Sequence, residues 1–212
     1  MADVVGIIPA RYDSKRLPGK PLALIQDRPM IQHVYERAAR AASLQRLVLA
    51  TDDSRIQKAV ARFGGEVLMT SGDHKSGTDR VAEAARQLML SDDTIVVNIQ
   101  GDEPLLRTEM IDSLVDTLKA KGEVDMATLA HPGTDSNDFH DPAVVKVVLD
   151  SEGRALYFSR TPIPTPRVLR IPQWLFAGVY QAFSGCLGKA GKARTTSRLG
   201  ARLPHICGHY PL

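Results

Sequence analysis

A cationic loop, residues 9–21, carries the side chains best suited to chemistry in this sequence. Arg11 and Arg16 offer planar forks of donors for paired phosphate oxygens, and Lys20 offers a compact point charge. Gly19 lets the main chain approach a ligand closely and present N–H groups to it. The loop therefore suits a polyphosphate such as a nucleoside triphosphate. The alternative is a basic loop that simply faces water, as charge runs commonly do.

An acidic turn, residues 98–104 with the sequence NIQGDEP, follows the most apolar of the strand-like runs. Mg²⁺ prefers one or two carboxylates and completes its shell with water and phosphate oxygens. Asp102 is the predicted Mg²⁺ ligand, with Glu103 as the second choice. The alternative for an isolated turn of this kind is an aspartate with no function beyond the turn.

A third loop, residues 73–80, places small residues and a cation just ahead of a helical pattern. Ser76 and Gly77 leave room for a base or a ribose, and Arg80 adds positive charge. The alternative is a plain helix N-terminus capped by Ser76 or by a nearby threonine. His74 is interpreted as a surface histidine with no metal role.

The elements that must position these loops alternate along the chain between strand-like and helix-like patterns. Short apolar runs predict strands at residues 4–8, 47–50, 66–69, 94–99, 126–129, 144–149 and 155–158. Periodic apolar residues predict helices at residues 29–42, 56–63, 78–90 and 108–121. This alternation predicts an α/β fold with a mostly parallel sheet and helices on both faces. Ligands of such sheets bind at the carboxyl ends of the strands, where all three loops lie.

The bulk composition is that of a chain with one good core, with 212 residues of which 43% are apolar and 24% charged. No run approaches the ~18 apolar residues of a membrane span, and the amino end lacks the regions of a signal peptide. A cytoplasmic protein with no membrane partner is therefore predicted. Cys186 and Cys207 both lie near the carboxyl end, which predicts neither a disulfide framework nor a zinc site.

The charge is unevenly distributed, because residues 167–212 contain seven cations and no Asp or Glu. Since the whole chain carries +3 and this segment +7, residues 1–166 carry −4. A basic tail of this kind commonly indicates an arm that binds nucleic acid.

The order of residues within the loops is more informative than their composition. The strings IPAR and RLPGKP begin at residues 8 and 16, SGTDR begins at residue 76 and QGDEP at residue 100. Together they resemble the motifs of the CMP-Kdo synthetase family, the 3-deoxy-manno-octulosonate cytidylyltransferases. The likeness spans about residues 4–166, and it implies a domain with the Rossmann-like nucleotidyltransferase fold over residues 1–166.

The resemblance also implies a reaction and a site. The substrates would be CTP and Kdo, and the products pyrophosphate and CMP-Kdo, for lipopolysaccharide biosynthesis. The implied catalytic residues are Arg11, Lys20 and Asp102, with Mg²⁺ on Asp102. The implied nucleotide-binding residues are Pro9, Ala10, Arg11, Ser14, Arg16, Gly19, Lys20, Ser76, Gly77 and Arg80. The implied sugar-binding residues are Gln100, Arg80 and Tyr180, and further candidates for an acidic sugar or pyrophosphate are Lys146 and Arg160.

The resemblance breaks after residue 166. Phe176 stands where the family has the His of an H-x-G-x-Y element, although Gly178 and Tyr180 match. The family's Leu-Glu-x-Leu-Glu-Gln-Leu-Arg helix, which contributes to sugar binding and homodimer packing, is absent, as is a later metal-binding Asp.

A shifted reading frame explains this tail better than a nucleic-acid arm. One choice of codons for residues 190–197 encodes Leu-Glu-Lys-Leu-Glu-Gln-Leu-Arg when it is read one base later. We therefore expect residues 167–212 to be an atypical basic tail that is out of frame from about residue 181, with no nucleic-acid partner.

Three rival interpretations stay open. Another sugar nucleotidyltransferase, acting on sialic acid or a hexose 1-phosphate, is the nearest. A non-catalytic nucleotide-binding remnant is the second, because lost sugar contacts and a lost metal carboxylate remove interactions with the transition state. A basic-tailed nucleic-acid binder is the third, and it requires salt-sensitive binding. For this chain the sequence predicts weakened CTP binding and very low or absent turnover.

Overall fold

The computed structural model describes residues 3–13, 17–120, 124–132, 136–163, 179–189 and 205–209. The strands are β1 Val4–Ala10, β2 Leu24–Ile25, β3 Arg28–Pro29, β4 Arg46–Thr51, β5 Val67–Met69, β6 Ile95–Asn98, β7 Met126–Pro132, β8 Val145–Leu149, β9 Arg154–Ser159, β10 Val179–Lys189 and β11 His205–His209. The helices are α1 Met30–Ala38, α2 Ser54–Arg62, α3 Gly77–Gln87, α4 Thr108–Ala120 and α5 Ser136–His140, with a short 3-10 helix at Lys20–Leu22.

Nine of these strands form one sheet in the order β5-β4-β1-β6-β10-β7-β11-β9-β8. The first four strands of that order are all parallel to one another, and helices flank them, so the predicted α/β fold class is confirmed. The other half of the sheet is mixed in direction. There β10 runs antiparallel to β6, β7 and β8, and β8 runs antiparallel to β9. The short turn between β8 and β9 explains why these two strands are antiparallel, because tight connections join antiparallel strands.

The two faces of the parallel half bury different side chains of the same strand. Alternate residues of β1 point to opposite faces, so Val4 and Ile8 join one core cluster while Val5 and Ile7 join another. The first cluster is covered by α1, α2 and α4, and the second by α3. Helices on both faces leave the carboxyl ends of the strands as the accessible edge.

Helix α3 begins with a capping box that fixes where its first turn lies. The Ser76 hydroxyl accepts a hydrogen bond from the Asp79 N–H at 3.1 Å, and Asp79 Oδ2 accepts one from the Ser76 N–H at 3.2 Å. Ser76 therefore caps α3, as the alternative interpretation of this loop expected, and its contact with a nucleotide stays a prediction. Within the described part of the chain, no helix is long and apolar enough to cross a membrane.

Lys146 of β8 is buried, with 1% of its surface exposed. Its Nζ donates to the carbonyl oxygens of Asp141 at 2.6 Å, Val144 at 2.9 Å and Arg160 at 3.0 Å. Burial lowers the pKa of Lys146, an effect that nearby aspartates partly offset. Because all three ammonium protons are used by the backbone, the expectation that Lys146 contacts a sugar or pyrophosphate is wrong. Arg160, by contrast, is exposed and stays a candidate.

Replacing Lys146 by methionine leaves three carbonyl groups without their donor. We expect Lys146→Met to lower the free energy of unfolding by about 2–4 kcal/mol, because unmade buried hydrogen bonds retain their desolvation cost. Urea denaturation measures the change. Lys119→Met, at an exposed position of α4, is the matched control and should stay within about 0.5 kcal/mol of the unsubstituted chain. Equal effects of the two substitutions would contradict the assignment.

Candidate functional site

A cavity of about 600 Å³ opens where the loops after β1, β5 and β6 meet. Its lining is the set Pro9, Ala10, Arg11, Leu17, Lys20, Pro21, Met30, His74, Lys75, Ser76, Gly77, Arg80, Gln100, Gly101 and Asp102. The three loops selected from the sequence therefore line one cavity. A volume of this size suits a small-molecule ligand such as a nucleotide.

Lys20 and Asp102 meet at this cavity although 82 residues separate them along the chain. The distance from Lys20 Nζ to Asp102 Oδ2 is 2.7 Å, and the two side chains are 37% and 52% exposed. An ion pair this exposed contributes little to stability, about 0–1 kcal/mol. The pair therefore adds little to the stability of the fold, and both side chains stay candidates for ligand binding.

Tyr12 shapes the cationic loop. The backbone at Gly19 has φ +71°, and a side chain at that position would lie 3.1 Å from the Tyr12 ring. The Gly19 N–H donates to the Tyr12 carbonyl at 2.8 Å, which closes the loop. The Arg55 guanidinium lies 3.3 Å from the centre of the Tyr12 ring, and Asp53 holds Arg55 by hydrogen bonds. Sequence reasoning assigned no role to Tyr12 or Arg55, because the contact between them joins two elements that are far apart in the chain.

Pro9, at the end of β1, is the point on which the other two loops converge. A Cβ on Gly101 would lie 3.0 Å from the Pro9 carbonyl oxygen and 3.3 Å from Ile31 Cδ1. A Cβ on Gly77 would lie 3.3 Å from Pro9 Cγ. The small residues thus let the turn that carries Asp102 and the start of α3 pack directly against β1.

Arg80 is 3% exposed and lies in the wall of the cavity. Its Nη1 donates to Thr70 Oγ1 at 2.5 Å, and its Nη2 lies 3.0 Å from Asp52 Oδ1. The guanidinium therefore ties α3 to the segments after β4 and β5. The contacts of Arg80 with nucleotide and sugar stay predictions.

His74 is not the surface side chain that the sequence suggested. It is 17% exposed, it lines the cavity, and its Nε2 contacts Glu83 Oε2 of α3. The spacing of nine residues between His74 and Glu83 matches no motif, so the pair was missed.

The remaining predicted residues fall into three groups: those that line the cavity, those that are described but do not line it, such as Gly19, and those outside the described residues. Ala10, Arg11 and Gln100 line the cavity. Ser14 and Arg16, and the side chain of Tyr180, lie outside the described residues. Glu103 does not appear in the lining, so Asp102 is the acid of that turn that faces the cavity.

Asp102 is the acid among the described residues that line the cavity. Among them no group of three or more His, Cys, Asp or Glu side chains converges on a metal position. The carboxylate of Asp102 is half-exposed at the cavity and close to cationic side chains. A carboxylate in this position can hold a divalent cation together with phosphate oxygens.

A parallel sheet with a cationic loop, a carboxylate and a glycine-lined helix start at the carboxyl ends of its strands is typical of nucleotide-binding α/β proteins. The family model described as "Cytidylyltransferase" matches residues 5–177. The chain therefore belongs to the cytidylyltransferase family, and the resemblance seen in its motifs is confirmed.

Named relatives support this family at high identity. The chain is 62% identical over 164 residues to the 3-deoxy-manno-octulosonate cytidylyltransferase of Syntrophobacter fumaroxidans, covering 77% of this chain and 66% of the relative. It is 50% identical over 180 residues to the 8-amino-3,8-dideoxy-manno-octulosonate cytidylyltransferase of Shewanella amazonensis, covering 84% of this chain and 74% of the relative. The chain thus spans just under two thirds of the length of the first of these relatives.

A solved structure also aligns with this chain. It is described as CMP:2-keto-3-deoxy-manno-octonic acid synthetase complexed with CTP, with a TM-score of 0.87 and 34% sequence identity. The alignment covers 99% of this chain and 90% of that structure.

Proposed function

We propose that this chain binds CTP with Mg²⁺ and belongs to a protein that transfers the CMP group to Kdo, releasing pyrophosphate. The observation that carries the proposal is the 2.7 Å contact of Lys20 with Asp102 at a cavity lined by the three motif loops. The relative that is 62% identical carries the name of this activity. Such a reaction supplies lipopolysaccharide biosynthesis and fits a cytoplasmic protein.

In the proposed reaction, the anomeric hydroxyl oxygen of Kdo attacks the α-phosphorus of CTP in line. The new bond joins that oxygen to phosphorus, the bond from the α-phosphorus to the bridging oxygen breaks, and the hydroxyl proton passes to solvent. No covalent intermediate with the protein is needed. Mg²⁺, held by Asp102, would neutralise charge on the phosphate oxygens.

The protein's own contribution is positioning and charge. Arg11 and Lys20 would stabilise the charge that develops on the α-phosphate and the leaving pyrophosphate. Ala10, Ser76 and Gly77 would line the base pocket, and Gln100 would face the sugar.

A comparison of nucleotides and sugars tests the proposal. Calorimetry with CTP, UTP, ATP and GTP in Mg²⁺ should show a preference for CTP, and absence of CTP binding would overturn the proposal. Pyrophosphate release is then measured with Kdo, its 8-amino analogue, sialic acid and a hexose 1-phosphate. Release with one of the last two alone would assign a different sugar. CTP binding without any release would favour a non-catalytic remnant.

Residues 167–212 are proposed to be an atypical tail that is out of frame from about residue 181. The family model ends at residue 177, and residues 167–212 contain no Asp or Glu, unlike the rest of the chain. The missing family helix and aspartate lead us to expect weak CTP binding and very low turnover. Sequencing the gene across codons 175–212 tests this: the proposal fails if no nearby single-base shift restores the helix.

Gly101→Ala should disturb the site through its backbone. The added Cβ would lie 3.0 Å from the Pro9 carbonyl oxygen, so the turn that carries Asp102 must move away from β1. We expect about 1–3 kcal/mol of destabilisation and about tenfold weaker binding of Mg²⁺ and CTP together. Calorimetry and urea denaturation measure the two effects.

Gly72→Ala is the matched control, because its Cβ would meet Asp52 Oδ2 at an ordinary 3.4 Å. An unchanged CTP affinity in Gly101→Ala would show that the close packing against Pro9 has no role in the site.

A further inference from the structure

Glu83 connects α3 to the loop that forms one wall of the cavity. Its Oε2 accepts a hydrogen bond from the Ser71 N–H at 3.0 Å and contacts His74 Nε2, while its Oε1 accepts from Gln87 Nε2 at 2.7 Å. The carboxylate therefore holds the loop both through its backbone and through the His74 imidazole.

The carboxylate of Glu83 is charged under neutral conditions. Burial by itself would raise the pKa of Glu83, but hydrogen bonds from His74, Ser71 and Gln87 outweigh it and hold the pKa below its usual range. An ionised carboxylate only accepts hydrogen bonds, so His74 must carry a proton on Nε2 where the two meet.

This arrangement determines what the other ring nitrogen of His74 can do. In a neutral imidazole only one nitrogen carries a proton, so Nδ1 is an acceptor when Nε2 donates to Glu83. A neutral His74 therefore repels phosphate oxygens at Nδ1, whereas a protonated ring donates from both nitrogens.

We propose that His74 is a nucleotide-binding residue that donates from Nδ1 to the anionic triphosphate in its protonated form, and that Glu83 is a positioning residue acting through His74. This inference rests on the proposed function, since it assumes that the ligand in the cavity is CTP. The observations that carry it are the place of His74 in the cavity lining and the use of its Nε2 by Glu83.

Other charges surround the ring and bear on its pH dependence. The titratable and charged groups on the neighbouring segments are Asp73 and Lys75 on its own loop, Asp79, Arg80 and Glu83 on α3, Asp52 after β4, and Arg11, Lys20 and Asp102 across the cavity. Positive and negative groups are nearly balanced in this set, so an incoming triphosphate brings the excess negative charge. Binding should therefore favour the protonated ring and weaken as the pH rises.

The test is CTP affinity measured by calorimetry from pH 6 to 8.5 at constant ionic strength. His74→Phe keeps a ring but removes both nitrogens, and we expect affinity to fall about tenfold at pH 6 and less than about twofold at pH 8.5. The phosphate groups of CTP ionise alike in every variant, so their effect cancels in this comparison. The matched control is His140→Gln, an exposed residue of α5, which should follow the unsubstituted chain.

A double-mutant cycle tests the role of Glu83. Glu83→Gln keeps an oxygen that accepts from Nε2 and should stay within about threefold of the unsubstituted chain, while Glu83→Leu should lose as much affinity as His74→Phe. If Glu83 acts through His74, the double variant His74→Phe with Glu83→Leu binds CTP as well as either single variant.

Each outcome bears on one claim. Parallel pH profiles for His74→Phe and the unsubstituted chain would overturn the role of His74, and additive losses in the double variant would overturn that of Glu83. An unsubstituted chain that binds no CTP would instead contradict the proposed function.

Discussion

Asp102→Asn should abolish the Mg²⁺-dependent part of CTP binding and leave the metal-free part intact or stronger. The carboxylate lies 2.7 Å from Lys20 Nζ. When the ligand binds, Mg²⁺ would replace Lys20 as the partner of the carboxylate, and a phosphate group would replace the carboxylate as the partner of Lys20. Asparagine keeps the shape of the side chain but removes its charge, and Mg²⁺ is usually held in proteins by one or two carboxylates. It also frees Lys20 from its partner and removes a negative charge that repels the triphosphate.

The measurement is a CTP titration in Mg²⁺ and again in EDTA. In Mg²⁺ we expect Asp102→Asn to lose about 10–100-fold in affinity, the range for removal of a charged partner. In EDTA its affinity should equal or exceed that of the unsubstituted chain.

Glu103→Gln is the matched control, since Glu103 is the adjacent acid and does not appear in the cavity lining. It should keep the full Mg²⁺ effect. If Asp102→Asn kept that effect while Glu103→Gln lost it, the assigned metal ligand would be wrong.

Lys20→Met should weaken CTP binding both with and without Mg²⁺. Methionine retains an apolar stem of similar length but lacks the ammonium group that would meet the triphosphate. In EDTA, where no Mg²⁺ pairs with it, Asp102 also faces the ligand as an unpaired negative charge, since its Oδ2 has lost the Lys20 ammonium group 2.7 Å away. Both effects act in the same direction, so a loss of about 100-fold is expected.

Combining Lys20→Met with Asp102→Asn distinguishes the effect of the unpaired Asp102 charge from the effect of the altered shape of the site. In EDTA, the double variant Lys20→Met with Asp102→Asn should bind CTP more tightly than Lys20→Met alone, because the unpaired carboxylate is gone. Lys58→Met, at an exposed position of α2, is the control and should bind CTP normally. A Lys20→Met chain with normal affinity in EDTA would remove the main support for a triphosphate site.

Local patterns in the sequence were sufficient for the parallel half of the fold. Strand β1 was predicted at residues 4–8 and extends over Val4–Ala10, and the helix predicted at residues 78–90 is α3, Gly77–Gln87. These succeed because apolar periodicity and capping residues act within a few positions of the chain. The same reasoning placed the three loops at one edge of the sheet, since carboxyl ends of parallel strands point the same way.

Strands β10 and β11 were not predicted. Both lie within the sheet, where β10 pairs with β6 and β7 and β11 with β7 and β9, yet their segments contain no clear alternation of apolar residues. Their pairing depends on partners far away in the chain, which local periodicity does not record.

By itself, the sequence determined the α/β class, the loops that form the cavity and the choice of Lys20 and Asp102 as candidate site residues. Only the tertiary structure decided that these two side chains lie 2.7 Å apart, that Lys146 bonds three backbone carbonyls and that Glu83 holds His74. The physical reason is that such contacts depend on how distant elements pack and where side chains point. Every residue has a backbone carbonyl, so a carbonyl that serves as a partner leaves no mark in the sequence.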